Sequence, residues 1–372
     1  MIYLDSAATA PVRREVLEAM WPFFTGEFGN PSSRHEVGER AATALRTARE
    51  TVADWLGVRP AEIVFTSGGT EGNNLAIKGI ALANPRGRHL VTSPIEHDSV
   101  LESCDYLRRF HGFEISTVGV DSTGLVDPAE LAEATRPDTT LVSVMFASNE
   151  IGTVQNVRAL TAAVDAPFHS DSVQAAGALD VRPASSGVDS LTLSGHKIGA
   201  PKGIGVLWTR RGLRVEPLLH GGGQERGIRS GTENVAGAVG FATAVGLLAT
   251  APELERARDE FIALVLGAVP LARLTGHPQR RLPGHASFTF EGVSGEAVLL
   301  ELERRGVVSS SGSACAAGRD EPSHVLIALG IEPELAQTAV RFTFDSATST
   351  TDLGKAAVAV RDAVRAVSAI SE

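Results

Sequence analysis

Cys315 stands in VVSSSGSACAAG (residues 307–318), where two valines are followed by ten residues that are almost all small. A structural cysteine is normally buried among apolar side chains. A loop with so little side chain to anchor it is expected to be mobile, and a thiol near its middle suits a nucleophile; a packing cysteine is the alternative. Pro322 follows, where it would open a helix near its first position. Lys197 is the second candidate, at the end of Leu191-Thr192-Leu193-Ser194-Gly195-His196-Lys197. An ammonium after an apolar strand is costly to bury unless it is used. A desolvated lysine near another cation can form a Schiff base, and an ordinary surface lysine is the alternative.

Two further segments suit an anionic ring compound. Phe168-His169-Ser170-Asp171-Ser172-Val173-Gln174 puts Asp171 at the end of a short apolar strand, where ligands of α/β sheets sit. A carboxylate there can pair with a pyridinium nitrogen and keep it protonated, with Gln174 one helical turn further on; a helix N-cap is the plain alternative. Thr66-Ser67-Gly68-Gly69-Thr70-Glu71-Gly72-Asn73-Asn74 runs from a strand into a helix. Its glycines and the N–H groups of the helix N-terminus favour a phosphate, with the Thr70 hydroxyl in reach; a capped turn is the alternative. The segment is not a P-loop, because no lysine follows its second glycine. Arg341, on a predicted strand, suits a substrate carboxylate held by two prongs, or else a plain salt bridge.

These residues need a frame that alternates strands and helices. Val37, Ala41, Leu45, Ala48, Val52 and Leu56 recur at steps of three and four, which marks one buried helix face. Strand-like runs fall at 62–66, 89–93, 114–118, 140–146, 167–170, 190–193 and 204–208, most bounded by Gly, Pro, Ser or Asp. This pattern predicts α/β with a mainly parallel seven-stranded sheet covered by helices. Near residue 245 the texture changes. Residues 249–252 read as a hinge into a helix over 253–266, followed by strands at 286–290 and 339–344 and helices at 296–305 and 351–370. The expectation is a large domain over 16–248 and a smaller α+β domain of 1–15 with 249–372.

The 372 residues are 43% hydrophobic with a formal net charge of -10. No basic run with interleaved aromatics is present, which argues against direct nucleic-acid binding. No apolar stretch has membrane-spanning length, and residues 1–5 lack the layout of a signal peptide, so a cytoplasmic protein is expected. Two cysteines, Cys104 and Cys315, make no disulfide framework, and a reducing compartment keeps both as thiols. Cys104 falls in a helical stretch and reads as packing. The ten histidines show no metal-binding spacing, so no metal is expected.

The order and spacing of these motifs resemble the cysteine desulfurases, class V aminotransferase-like enzymes of the pyridoxal phosphate (PLP) fold type I. The likeness runs almost end to end, through YLDSAAT (3–9), GNPSS (29–33), GGTEGNN (68–74), Glu96-His97, SNEIG (148–152), Asp171 to Gln174, SGHK (194–197), PKGIG (201–205), HGGGQERGIRSGT (220–232), SSGSAC (310–315) and Arg341-Phe342. The SSGSAC form is similar to the long-loop group. The resemblance implies that Lys197 holds the cofactor covalently and moves protons, that Asp171 pairs with the ring nitrogen and Gln174 with the ring oxygen, and that His97 stacks on the ring. Gly69, Thr70, Ser194 and His196 would bind its phosphate. Thr232 would reach the phosphate of a neighbouring subunit, which implies a homodimer. Asn149 and Arg341 would bind the substrate carboxylate, and Cys315 would attack the sulfur of L-cysteine and carry it as a persulfide to an acceptor protein, such as an iron–sulfur scaffold or a thiolation enzyme. Ser148 stands where a second Asn is frequent in the family and Asp345 where a small residue is more usual. The stretch after the last helix is short where close relatives dock a scaffold. A selenocysteine lyase, or another PLP-dependent lyase or aminotransferase of the same fold, is the alternative activity; a catalytically silent scaffold is the alternative of another class.

Overall fold

The computed structural model describes residues 1–84, 86–248, 252–311 and 321–371. Its main sheet has seven strands, in the spatial order Ile63–Thr66, Gly205–Thr209, Ser190–Ser194, Phe168–Asp171, Thr139–Ser143, His89–Thr92 and Glu114–Thr117. Only Gly205–Thr209 runs against its neighbours; the other pairs are parallel. Five inner strands are buried along their whole length, whereas Glu114–Thr117 at one edge is partly exposed. Parallel strands need crossover helices, and these cover the sheet, which is why the inner strands carry apolar or small residues on both faces.

Helix Glu36–Leu56 buries Ala41, Leu45, Ala48, Val52 and Leu56, five of the six residues of the anticipated stripe; Val37 is half-buried. It starts at His35, whose ring accepts a hydrogen bond from Gly38 N–H, and ends at Gly57 in the left-handed conformation, where a Cβ is penalised. Helix Gly69–Ala83 lies flat on the sheet. A Cβ at Gly72 would come 2.6 Å from the Thr192 side chain, so glycine is what lets this helix approach the Ser190–Ser194 strand.

A second core forms on a three-stranded antiparallel sheet, with His285–Phe290 between Ala272–Leu274 and Val340–Thr343. Helices Pro252–Ala268, Gly295–Arg304 and Thr350–Ser371 pack on it. Phe261 is its hub, edge-on to Phe288, Phe342 and Phe344 at ring-centroid distances of 6.3, 5.5 and 6.1 Å. The start of the chain belongs here as well: Ile2–Tyr3 pairs with Val307–Val308, and Leu4 is fully buried in this core. Among the described residues no helix is long and apolar enough to cross a membrane.

The strand expected over 140–146 stops at Ser143. Beyond it, Met145 N–H is taken by the Glu96 carboxyl, while Phe146 N–H bonds Asp171 and the neighbouring chain turns back on itself as Ala147 bridges Val154. Pro322 does not open a helix; it precedes the cap Ser323, and the helix is His324–Ala328. The hinge expected at 249–252 falls mostly outside the described residues. Truncating the hub, Phe261→Ala, should destabilise this core by about 3–5 kcal/mol; urea unfolding checks it, and a loss below ~1 kcal/mol would show that Phe261 is not what holds the core together.

Candidate active site

Parallel strands end side by side, and the site is built on those ends. Asp171 closes Phe168–Asp171 and is paired in register with Thr192 of the next strand. That strand runs two residues further to Ser194, and a single 3-10 turn, Gly195–Lys197, brings Lys197 round. On the other flank, helix Gly69–Ala83 opens directly after strand Ile63–Thr66. Between them lies a cavity of about 370 Å³ whose lining includes Gly69, Thr70, His97, Asp171, Ser194 and Lys197.

The same cavity is also lined by Asn149, Gln174, His196 and Arg341, so every anticipated cofactor and substrate residue meets in it except Thr232 and Cys315. Thr232 is exposed on the segment before helix Val235–Gly246. Cys315 lies outside the described residues. Cys104 is buried, and burial pushes its thiol up to about 12, so it packs and does not react.

Each polar group has a physical anchor. The buried Asp171 carboxylate accepts Asn73 Nδ2–H at 2.6 Å and Val173 N–H at 3.0 Å. Lys197 Nζ donates to the carbonyls of Ala7 and Ala8, the latter at 2.8 Å, and Gln174 Nε2 donates to Ala7 at 3.1 Å. Gln174 sits on a turn rather than a helix, yet still points into the cavity wall. His97 caps helix Asp98–His111, with its Nδ1 accepting Ser99 N–H at 3.1 Å. An accepting Nδ1 carries no proton, so the neutral ring holds its hydrogen on Nε2. Burial, reinforced by Lys197 and Lys202, pushes His196 down to about 4, and it is neutral at pH 7.

Arg341 makes the anticipated salt bridge and also lines the cavity. Its guanidinium is buried, pairs with Asp5 at 2.8 Å, donates to the Asn149 carbonyl at 3.0 Å and still lines the cavity. The pairing follows from burial: a desolvated guanidinium requires a countercharge and acceptors. His285 Nε2 meets the same Asn149 carbonyl at 3.1 Å.

Two acids that no motif assigned a role line or adjoin the cavity. Glu150 takes a hydrogen bond from Ser323 at 2.5 Å, and burial raises its carboxyl. Glu96 is wholly buried; burial pushes it up to about 8 against the hydrogen bonds from Ser93 and Met145, with the Asp171 charge adding to the rise. Its Oε2 has no partner among the described residues, as suits the oxygen that keeps the proton. The signal that would have found both is a carboxyl flanked by buried small or apolar residues.

Residues 2–355 match the model of the class-V aminotransferases. The chain belongs to this family. It is 46% identical to the cysteine desulfurase IscS of Dictyoglomus turgidum, over 95% of this chain and 91% of that one. It is 44% identical to the cysteine desulfurase IscS of Methanosarcina thermophila, over 98% and 92%. A solved NifS-like protein superposes with a TM-score of 0.90 at 35% identity, covering 98% of this chain and 99% of that one. The family's cofactor is pyridoxal 5′-phosphate, and the cavity's donors fit it. The first-turn N–H groups of a 15-residue helix and the hydroxyls of Thr70 and Ser194 suit its phosphate. The buried Asp171 suits a protonated ring nitrogen at the other side. A Cβ at Gly69 would come 3.0 Å from Val173, so any larger residue would crowd the phosphate end.

Glu96 sets a pH dependence. Below its ordinary value of 4.5 the folded and unfolded chains both hold the proton. Between 4.5 and about 8 the unfolded chain releases it and the folded chain keeps it, so this group's stability contribution falls as pH rises. Glu96→Gln should therefore lose less stability than wild type over that window in urea titrations. Identical pH slopes for the two proteins would contradict a protonated Glu96.

Proposed function

We propose that this chain is a pyridoxal-phosphate-dependent cysteine desulfurase, converting L-cysteine to L-alanine and leaving a persulfide on Cys315. The observation that carries the reading is the convergence of Asp171, Lys197 and Arg341 on one cavity, with both described flanks of the Cys315 segment tied to that cavity. Ser310 exchanges backbone hydrogen bonds with Arg341, and Ser323 donates to Glu150.

In the mechanism, the Arg341 guanidinium and Asn149 bind the carboxylate of L-cysteine, which fixes its Cα–H toward Lys197. The bound cofactor supplies an electron sink that makes that proton removable. Asp171 would hold a proton on the ring nitrogen, and Gly69, Thr70, Ser194 and neutral His196 would hold the phosphate. Lys197 would hold the cofactor covalently, and its amine, when free, would take the α-proton. The Cys315 thiolate then bonds to the substrate sulfur as the carbon–sulfur bond breaks. The carbon fragment takes up protons and departs as alanine, so that one cysteine and one thiol give one alanine and one persulfide. His97, with its proton on Nε2, would stack on the ring and give a proton.

Three further assignments accompany this reading. A large domain over 16–248 and a small one of 1–15 with 249–372 agree with Val16 lying in the main core and Leu4 in the second. Thr232, exposed and away from its own chain's cavity, serves the phosphate of a second copy in a homodimer. The sulfur passes to an acceptor protein in the cytoplasm, where an iron–sulfur scaffold or a thiolation enzyme would take it from a thiol kept reduced.

Cys315→Ala should keep the visible absorbance of the lysine-bound cofactor while alanine formation from L-cysteine drops by roughly 10²-fold or more; unchanged turnover would sink the persulfide step. Lys197→Ala should lose that absorbance, and an unaltered spectrum would remove Lys197 from its role.

A further inference from the structure

Asn73 is buried, 1% exposed, one turn into helix Gly69–Ala83, and it touches more of the site than any motif assigned to it. Its two Nδ2 hydrogens have two partners: Asp171 Oδ2 at 2.6 Å and Ser99 Oγ at 2.9 Å. Its Oδ1 lies 3.3 Å from His169 Nε2. His169 is itself fully buried on the same strand as Asp171, two residues earlier, and its Nδ1 is 3.2 Å from Ser190 Oγ. Burial pushes His169 down to about 3, so its ring is neutral and carries a single hydrogen.

The donors and acceptors of this set allow one self-consistent arrangement. The Asp171 carboxyl accepts Val173 N–H on one oxygen and Asn73 Nδ2–H on the other, so the amide turns its nitrogen that way and its oxygen toward His169. His169 must then donate from Nε2, and Ser190 must donate to its Nδ1. Ser99 Oγ already accepts from Asn73 and lies 2.8 Å from His97 Nδ1. Its hydroxyl hydrogen therefore points at His97, beside the backbone N–H of Ser99 that reaches the same nitrogen. The chain of donation runs Ser190 to His169 to Asn73, and there it divides, one branch to Asp171 and the other through Ser99 to His97.

We propose that Asn73 is a positioning residue that couples the ring-nitrogen carboxylate to the stacking histidine: through a single amide it supports the charge of Asp171 and sets the Ser99 hydroxyl that holds His97 with its proton on Nε2. His169 acts behind it as the fixed donor that stops the amide from turning over. The proposal rests on the cofactor roles given above to Asp171 and His97. The amide, carried on helix Gly69–Ala83, is held by two other elements, helix Asp98–His111 and strand Phe168–Asp171, with strand Ser190–Ser194 bracing His169 behind it. A shift of the amide is therefore felt at both Asp171 and Ser99.

The test uses readouts that do not depend on desulfuration. Cofactor affinity is measured by titrating apoenzyme with pyridoxal phosphate, and the His97 ring nitrogens are read by NMR of ¹⁵N-histidine-labelled protein, assigned with His97→Gln. Asn73→Ala should weaken the cofactor by about 10- to 100-fold, the value of a hydrogen bond to a charged group, and should move the His97 Nδ1 signal. Ser99→Ala should move that signal while leaving affinity within about twofold. Asn73→Asp keeps the side chain's size and turns its donor into an acceptor; it draws the Ser99 hydroxyl away, so His97 Nδ1 should shift as in Ser99→Ala. That variant carries the NMR test if the alanine variant does not fold. An unmoved His97 signal in the Asn73 variants, or an affinity loss in Asn73→Ala no larger than in Ser99→Ala, would overturn the coupling. A desulfurase assay that failed in wild type would instead count against the proposed activity and leave these readouts intact.

Discussion

The site turns on housing one carboxylate in a place with little water. Asp171 ends a strand that is buried on both faces, and an unpaired charge there would be prohibitive. Two donors, from Asn73 and Val173, meet it before any ligand does. One of them arrives on a helix that comes close enough only because Gly72 has no side chain. The sheet, the flat-lying helix and the cavity thus meet at this carboxylate.

Around that carboxylate the charges are arranged so that each is compensated locally. Arg341 has Asp5, Lys197 has two backbone carbonyls, and Glu96 stays neutral because burial outweighs its hydrogen bonds. His196 and His169 are neutral for the same reason. A substrate carrying both an amine and a carboxylate therefore enters a pocket whose polar groups are already oriented, which is the condition for a low reorganisation cost in the reaction. The amino-terminal residues contribute directly: the carbonyls of Ala7 and Ala8 hold the Lys197 ammonium, and Asp5 holds the Arg341 guanidinium. These few residues bridge the two cores, as Leu4 packs in the second while Ala7 lines the cavity.

Much of this was legible in the sequence, for identifiable reasons. Strands buried on both faces write themselves as short apolar runs, so Asp171 and Lys197 stood out as polar residues just past such runs. The Glu36–Leu56 helix shows its stripe because one face is exposed and the contrast survives. Asn73 was not legible as a hub, since an asparagine beside glycine reads as a turn residue and its partners Ser99 and Asp171 lie 26 and 98 positions away. Gln174 was expected on a helix because polar residues after a strand end commonly start one; the chain instead makes successive turns there. The expected strand over 140–146 ran past its assigned end at Ser143 because Val144, Met145 and Phe146 are apolar and buried; Val144 and Phe146 still bond the neighbouring strand through their N–H groups, whereas Met145 N–H is diverted to Glu96. Glu96 gave no sign of its protonated state, which depends on burial that only the fold creates.

In the proposed mechanism sulfur leaves the substrate by way of Cys315. This route is tested most directly by incubating the cofactor-loaded protein with L-cysteine, without acceptor or reductant, and weighing the peptide that contains Cys315 while counting alanine. This peptide should gain the mass of one sulfur atom, and one alanine should appear for each chain so modified. Alanine formed with no mass gain on that peptide, or with the gain on Cys104, would contradict this route.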